Sequence, residues 1–170
     1  MRWLVVLLAL ICLMPVHVTA TDMFRLGPGD TVRVTVFGEE NLSGTFSLDS
    51  DGRLAMPLLG FVALGGLSLK EAEETLVSRL ADGWLRQPNV ALEVTTHRPF
   101  YILGEVQKPG AYPWASGLSV MGAVALGGGF TYRADEDDIS IRRDDAKIRR
   151  VSLTVPVQPG DIIHVHQRFF

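Results

Sequence analysis

Apolar and polar residues alternate from Thr31 to Phe37, with Val32, Val34 and Val36 on one side and Thr31, Arg33 and Thr35 on the other. A period of two predicts a strand with one buried face. Asn41 to Leu48 carries a weaker version of the pattern and predicts a second strand. Arg53 to Met56 predicts a third, limited by Pro57, after a tight turn at Asp49-Ser50-Asp51-Gly52. The period then changes. Leu69, Ala72, Leu76 and Leu80 recur at helical spacing and share one face. Ser68 and Glu71 have the spacing of a capping box, and Gly83 is the expected stop. Alternation returns at Asn89 to Thr95, with Val90, Leu92 and Val94 together.

A seam is expected at Arg98-Pro99, because proline restricts its predecessor and opens a new extended segment. Beyond it, Phe100 to Val106 predicts a strand, Gln107 to Gly110 a turn and Ala111 to Trp114 another strand. Leu118 to Leu126 predicts a short helix ended by Gly127-Gly128-Gly129. Ile139 to Arg142 and Ile148 to Leu153 predict a hairpin with Asp144-Asp145-Ala146 at its tip, and Ile162 to His166 a last strand. The expected fold class is therefore α+β, in two small domains, residues 22–97 and 98–170. Leu26-Gly27-Pro28-Gly29-Asp30 and Val157-Gln158-Pro159-Gly160-Asp161 echo each other. Both read as turns that launch strands, since Pro, Gly and Asp each suit turn geometry.

The start of the chain follows a different pattern. Arg2 precedes an unbroken apolar run from Trp3 to Met14, Pro15 breaks it, and Val18-Thr19-Ala20 offers small residues for cleavage. Residues 1–20 read as a secretory signal. The run is short for a membrane span, which needs roughly 20 apolar residues, so an uncleaved anchor is the weaker alternative. Cys12, the only cysteine, lies inside this run. Ile11 precedes it where a lipidation site needs a small residue, so no lipid anchor is expected. Cleavage after Ala20 leaves no thiol, disulfide or cysteine metal site. The formal net charge of −3 gives no electrostatic reason to expect nucleic acid as a partner.

Candidate chemistry is sparse. The chain holds no GxSxG, HExxH, phosphate-binding loop or dinucleotide fingerprint, so no enzyme activity, catalytic residue or cofactor is expected. His164 and His166 share a strand face, but two ligands do not complete a zinc site, and no metal is expected. Asp135 to Asp138 read as a solvated loop, with Arg142, Arg143, Arg149 and Arg150 as partners across the hairpin. Tyr112 and Trp114, near Phe100 and Tyr101, can stack on sugar rings, although packing is the commoner role of such residues.

Two stretches carry a resemblance. The first comprises Leu26-Gly27-Pro28-Gly29-Asp30, then DSDGRLAMPLLG from Asp49 to Gly60, then GGLSLKEA from Gly65 to Ala72. The second comprises GEVQKPGAY from Gly104 to Tyr112, the short helix with its three glycines, Ile139 to Arg142, and Pro159 to Val165. In this order they resemble the Wza-like polysaccharide export proteins of the bacterial outer membrane: an export domain followed by a soluble-ligand-binding (SLBB) β-grasp domain. The resemblance implies an exported, ring-forming periplasmic homo-oligomer that conducts polysaccharide. It also implies an inner-membrane copolymerase, often linked to a tyrosine kinase, as partner. Ending after one β-grasp domain, the chain resembles the short members, which lack the pore-forming C-terminal helix. Attachment to the outer membrane is then expected through partners, with a separate β-barrel porin as the passage. The alternative is a periplasmic glycan-binding β-grasp module without channel function. Gly104, Lys108, Pro109 and Gly110 match the β-grasp motif loop, and with Tyr112 and Trp114 they are the candidate binding residues. Turn formation is the simpler role for the loop glycines and proline.

Overall fold

The computed structural model describes residues 24–143 and 146–168. The expected signal at residues 1–20, with Cys12, lies outside the described residues, as do Asp144 and Asp145 of the expected hairpin tip. The fold is α+β, in two small domains, each around its own hydrophobic core.

The first domain begins with β1 (Thr31–Val36), which lies between β2 (Gly44–Ser47) and β5 (Val90–Thr96) and runs antiparallel to both. Strands β3 (Arg53–Met56) and β4 (Gly60–Ala63) form a separate hairpin. Helix α1 (Leu69–Ala81) starts with the expected capping box: Ser68 Oγ accepts from the Glu71 amide, and the Glu71 carboxylate accepts from the Ser68 amide. Its face of Ala72, Leu76 and Leu80 packs on Val32, Val34 and Leu92. Burying each such leucine or valine contributes roughly 1.5–3 kcal/mol. Glu73 Oε1 also accepts the Leu92 amide at 2.8 Å, tying the helix to β5.

The second domain is one five-stranded sheet in the order β7-β6-β10-β8-β9. Its strands are β6 (Phe100–Gly104), β7 (Gly110–Tyr112), β8 (Ala134–Arg143), β9 (Ala146–Arg149) and β10 (Ile162–Gln167). β6 and β10 are parallel neighbours, and the other pairs are antiparallel. Helix α2 (Val120–Leu126) covers one face, with Val120, Ala123 and Val124 against Phe100, Ile102, Ile141 and Ile163. The first amides of a helix have no partner within it. Here the Val120 and Met121 amides donate to the Val155 and Leu153 carbonyls, which joins the helix start to the segment before β10.

Several expectations need correction. The first part of Asn41 to Leu48 is a 3-10 turn, Glu40–Leu42, because Ser43 folds back to bond both Val36 and Glu39. Only Gly44–Ser47 pairs as a strand. Asp135 to Asp138 belong to β8 and are not a loop, since Ala134 and Ile139 on either side of them pair with β10 across a register shift. Strand β9 ends at Arg149, where Arg150 takes a φ of 53° and breaks the extended run. Among the described residues no ion pair joins Arg142, Arg149 or Arg150 to those acids, and Arg143 pairs with Asp161.

Candidate functional site

The two Pro-Gly-Asp turns meet where the domains join. In the first, the buried Asp30 carboxylate accepts from the Gly27 amide through Oδ2 at 2.7 Å. It also accepts from the Arg98 amide through Oδ1 and from Arg98 Nη1 through Oδ2, both at 2.7 Å. In the second, the buried Asp161 accepts from the Gln158 amide at 2.7 Å. Arg143 forks onto Asp161, with Nε at 2.8 Å from Oδ1 and Nη2 at 2.7 Å from Oδ2. Each turn thus closes on an aspartate three residues after the amide it caps, and each aspartate holds a guanidinium. Charge-assisted bonds are the strong ones, above all a bidentate fork such as Arg143 on Asp161.

Arg98 joins the two turns. Its guanidinium lies over Gly27, where an added Cβ would sit 2.5 Å from Nη1, and against Gly160, where it would sit 2.6 Å from Nε. Any side chain at either glycine would displace the arginine. Backbone bonds finish the joint: the Gly160 amide donates to the Pro99 carbonyl and the Tyr101 amide to the Asp161 carbonyl. Beside it, His97 is edge-on to Phe24 and to Trp114, with both centroid distances 4.6 Å. One aromatic column therefore runs from the first domain through the linker into the second.

His97 Nδ1 is buried without a hydrogen-bond partner. Burial lowers the imidazole below its ordinary value of 6.5, against the pull of Asp30 and with a further push from Arg98. The folded chain therefore favours neutral His97, and the unfolded chain binds its proton more readily. The stability from this site is present above pH 6.5 and is lost as pH falls below it. His164 is lowered in the same sense, by burial first and then by His166 and Lys147, against Asp138. Thermal melting is expected to decline from about pH 7 to about pH 5. His97→Phe should flatten that decline, leaving the His164 part, and should stabilise the fold by about 1 kcal/mol by removing the unpaired atom. An unchanged slope in calorimetry would show that His97 does not carry it.

An open groove of about 880 Å3 follows the seam, lined by Arg25, Gly27, Arg98, Arg142, Arg143 and Asp161 among others. Small-molecule pockets span roughly 300–1,000 Å3, so the space suits an organic ligand rather than a bare ion. Arg25, Arg98 and Arg143 already face carboxylates, whereas Arg142 has no bonded partner among the described residues. No group of three or more His, Cys, Asp or Glu side chains is gathered among the described residues as a metal would need.

None of the six candidate binding residues lines this groove. Gly104 ends β6 with a φ of 85°, and a Cβ there would collide with the Val165 carbonyl oxygen. Lys108 and Pro109 are exposed, while the Lys108 amide donates to the Gly127 carbonyl, pinning the loop to the end of α2. Gly110 starts β7. Tyr112 stacks on Phe100 at 6.0 Å and donates its hydroxyl to the Lys108 carbonyl at 2.6 Å. Trp114 donates Nε1 to the Val157 carbonyl at 2.6 Å and packs against the second core. Both rings are thus engaged by the fold, and the exposed part of the set is Gly104, Lys108 and Pro109. Sequence reasoning missed Asp30, Arg98, Arg143 and Asp161 as a connected group. The echo of the two turns was the available signal, since both end on aspartate.

Residues 18–95 match the family described as polysaccharide biosynthesis/export protein, and residues 99–152 match the SLBB domain. The chain belongs to the polysaccharide export family. Among relatives of this export chain, the exopolysaccharide production protein ExoF of Rhizobium meliloti (strain 1021) is 33% identical over 141 residues, covering 76% of this chain and 33% of the relative. The polysialic acid transport protein KpsD of Escherichia coli is 25% identical over 133 residues, covering 76% of this chain and 24% of the relative. The export chain thus spans a third or less of the curated relatives it matches. His97 and Arg98, the centre of the joint, fall between the two matched stretches. Strand β10 lies beyond the SLBB match yet sits centrally in that domain's sheet. Among the described residues no helix is long and apolar enough to cross a membrane.

Proposed function

We propose that this chain is a non-enzymatic component of a polysaccharide secretion system, forming or gating the periplasmic part of an oligomeric conduit. The observation that carries the reading is the pairing, in order, of an export domain and an SLBB domain across one bonded seam. A rigid joint suits a protein that stacks its domains along a path, because it fixes their relative orientation. The names of ExoF and KpsD support polysaccharide as the cargo. The partners in this reading are further copies of the chain in a ring, an inner-membrane copolymerase with its tyrosine kinase, and an outer-membrane β-barrel. Deleting the gene is expected to abolish secreted polysaccharide without stopping its synthesis. Unchanged secretion would sink the proposal.

A second reading is a glycan-binding module without channel function. The exposed Tyr101, Leu103, Arg142, Lys147 and Arg149 of the second sheet favour it. A purified protein that stays monomeric and binds oligosaccharide would select this reading, and a ring-sized assembly would reject it.

A further inference from the structure

Helix α2 covers one face of the five-stranded sheet; on the other, Tyr101, Leu103, Arg142, Lys147 and Arg149 are exposed, while Ser140 is buried and bonded to His166. Strand register places two rows of side chains across that outer face. The first row runs Tyr101, Ile162, Arg142 and Lys147 across β6, β10, β8 and β9. The second runs Leu103, His164, Ser140 and Arg149 across the same strands. Tyr101 and Leu103 are 42% and 43% exposed. The face is therefore apolar and aromatic at one side and cationic at the other, with His164, in ring contact with His166, between. Strands lie about 4.8 Å apart, so Tyr101 and Arg142, two strands apart, are separated by about 10 Å.

The cations are the informative part. Arg142, Lys147 and Arg149 are all exposed, and none has an ion-pair or hydrogen-bond partner among the described residues. Arg142 and Lys147 are direct cross-strand partners. Like charges directly opposite each other destabilise a sheet. A chain with a formal net charge of −3 has carboxylates to spare, and it places Asp135 to Asp138 on the same strand, yet none pairs with these three cations. Asp138 lies toward the other end of the face, near enough to His164 to act on its charge. The positive cluster therefore brings the fold no bond and costs it repulsion, which an external anion would relieve. At its upper end the face opens into the seam groove, which Arg142 and Ile162 also line. The surface thus continues from an open sheet into a groove, as an extended ligand requires.

We infer that this outer face binds an acidic polysaccharide, with Arg142, Lys147 and Arg149 holding its carboxylates and Tyr101 stacking on a sugar ring. The inference rests on the polysaccharide-handling reading and adds the charge class of the cargo. Aromatic rings offer an apolar face to the C–H side of a sugar, and guanidinium forks match carboxylate geometry. Nucleic acid is the less suited polyanion, because the protein as a whole is acidic and the two rows offer one aromatic ring for stacking.

The test is binding to the purified protein of a labelled oligogalacturonate, a neutral malto-oligosaccharide of equal length and an oligothymidylate. Expected is binding of the oligogalacturonate that weakens with salt, with much weaker binding of the other two. The double variant Arg142→Gln, Lys147→Gln should weaken it by about tenfold or more, and Tyr101→Ala by about fivefold. Arg79→Gln, which makes the same charge change on an exposed position of α1, should leave it unchanged. Failure of oligogalacturonate to bind, equal binding of the neutral sugar or of oligothymidylate, or indifference to the double variant would each overturn the inference. The two readings fail separately. If gene deletion leaves secretion intact while arginine-dependent binding persists, the export reading falls and the site stands. If deletion abolishes secretion and no acidic sugar binds, the site falls alone.

Discussion

Replacing Asp30 with alanine is expected to cost about 3 kcal/mol of stability, the range found when one partner of a buried ion pair is removed. The carboxylate is fully buried and accepts three hydrogen bonds. Its loss leaves the Gly27 and Arg98 amides without their acceptor and strands a guanidinium that is only 21% exposed. Arg98 can recover some hydration through the open groove, which keeps the cost at the lower end. At roughly 2–4 °C per kcal/mol for a chain of this size, the melting temperature should fall by about 10 °C. A double-mutant cycle with Arg98→Met should return a coupling of at least about 1 kcal/mol, since the two groups share one network. A single-variant cost below about 1 kcal/mol would mean that the joint is held by the aromatic column instead.

Gly104→Ala is expected to cost about as much, for a different reason. The residue has a φ of 85°, which alone costs a residue with a Cβ roughly 1–2 kcal/mol. The new methyl would also collide with the Val165 carbonyl oxygen, the acceptor of the Glu105 amide at 3.0 Å. Relieving the clash pushes β6 away from β10 at the centre of the sheet, so the total should reach about 3 kcal/mol. Denaturant unfolding measures the loss, and faster amide exchange at Glu105 locates it. Sugar binding measured on the folded fraction should stay near that of the parent chain. Loss of binding with stability unchanged would instead make Gly104 a contact residue.

Much of the fold was legible in the sequence, and the exceptions share a cause. Strand β1 and helix α1 announce themselves because their apolar residues recur at a single period and face a core. The Ser68 and Glu71 pair marks the helix start for a local reason, so it needs no tertiary information. Strand β4 escaped because only Val62 in it is buried, and one residue makes no pattern. Asp135 to Asp138 read as a loop because acids are poor strand formers; the pairs that Ala134 and Ile139 make with β10 on either side override that preference. The seam was half legible. Both Pro-Gly-Asp turns were visible as turns, but Asp30 meets Arg98 across 68 positions, and sequence proximity carries no hint of that bond. The cationic face was read as pairing across the hairpin with nearby acids. Strand register instead sets Arg142 against Lys147, which becomes apparent only once the strands are aligned.

The bond between Asp30 and Arg98 has a practical consequence for taking the protein apart. A cut at the natural-looking seam, between His97 and Arg98, separates a buried anion from its cation. The N-terminal piece would carry Asp30 with only the Gly27 amide still bonded to it, and the C-terminal piece would begin with an unsatisfied guanidinium. Dissection for separate expression should therefore leave Arg98 and Pro99 on the first piece, so that the carboxylate keeps its partner. The two halves are separate in their cores but share this residue, and the piece that inherits it should be the one that folds alone.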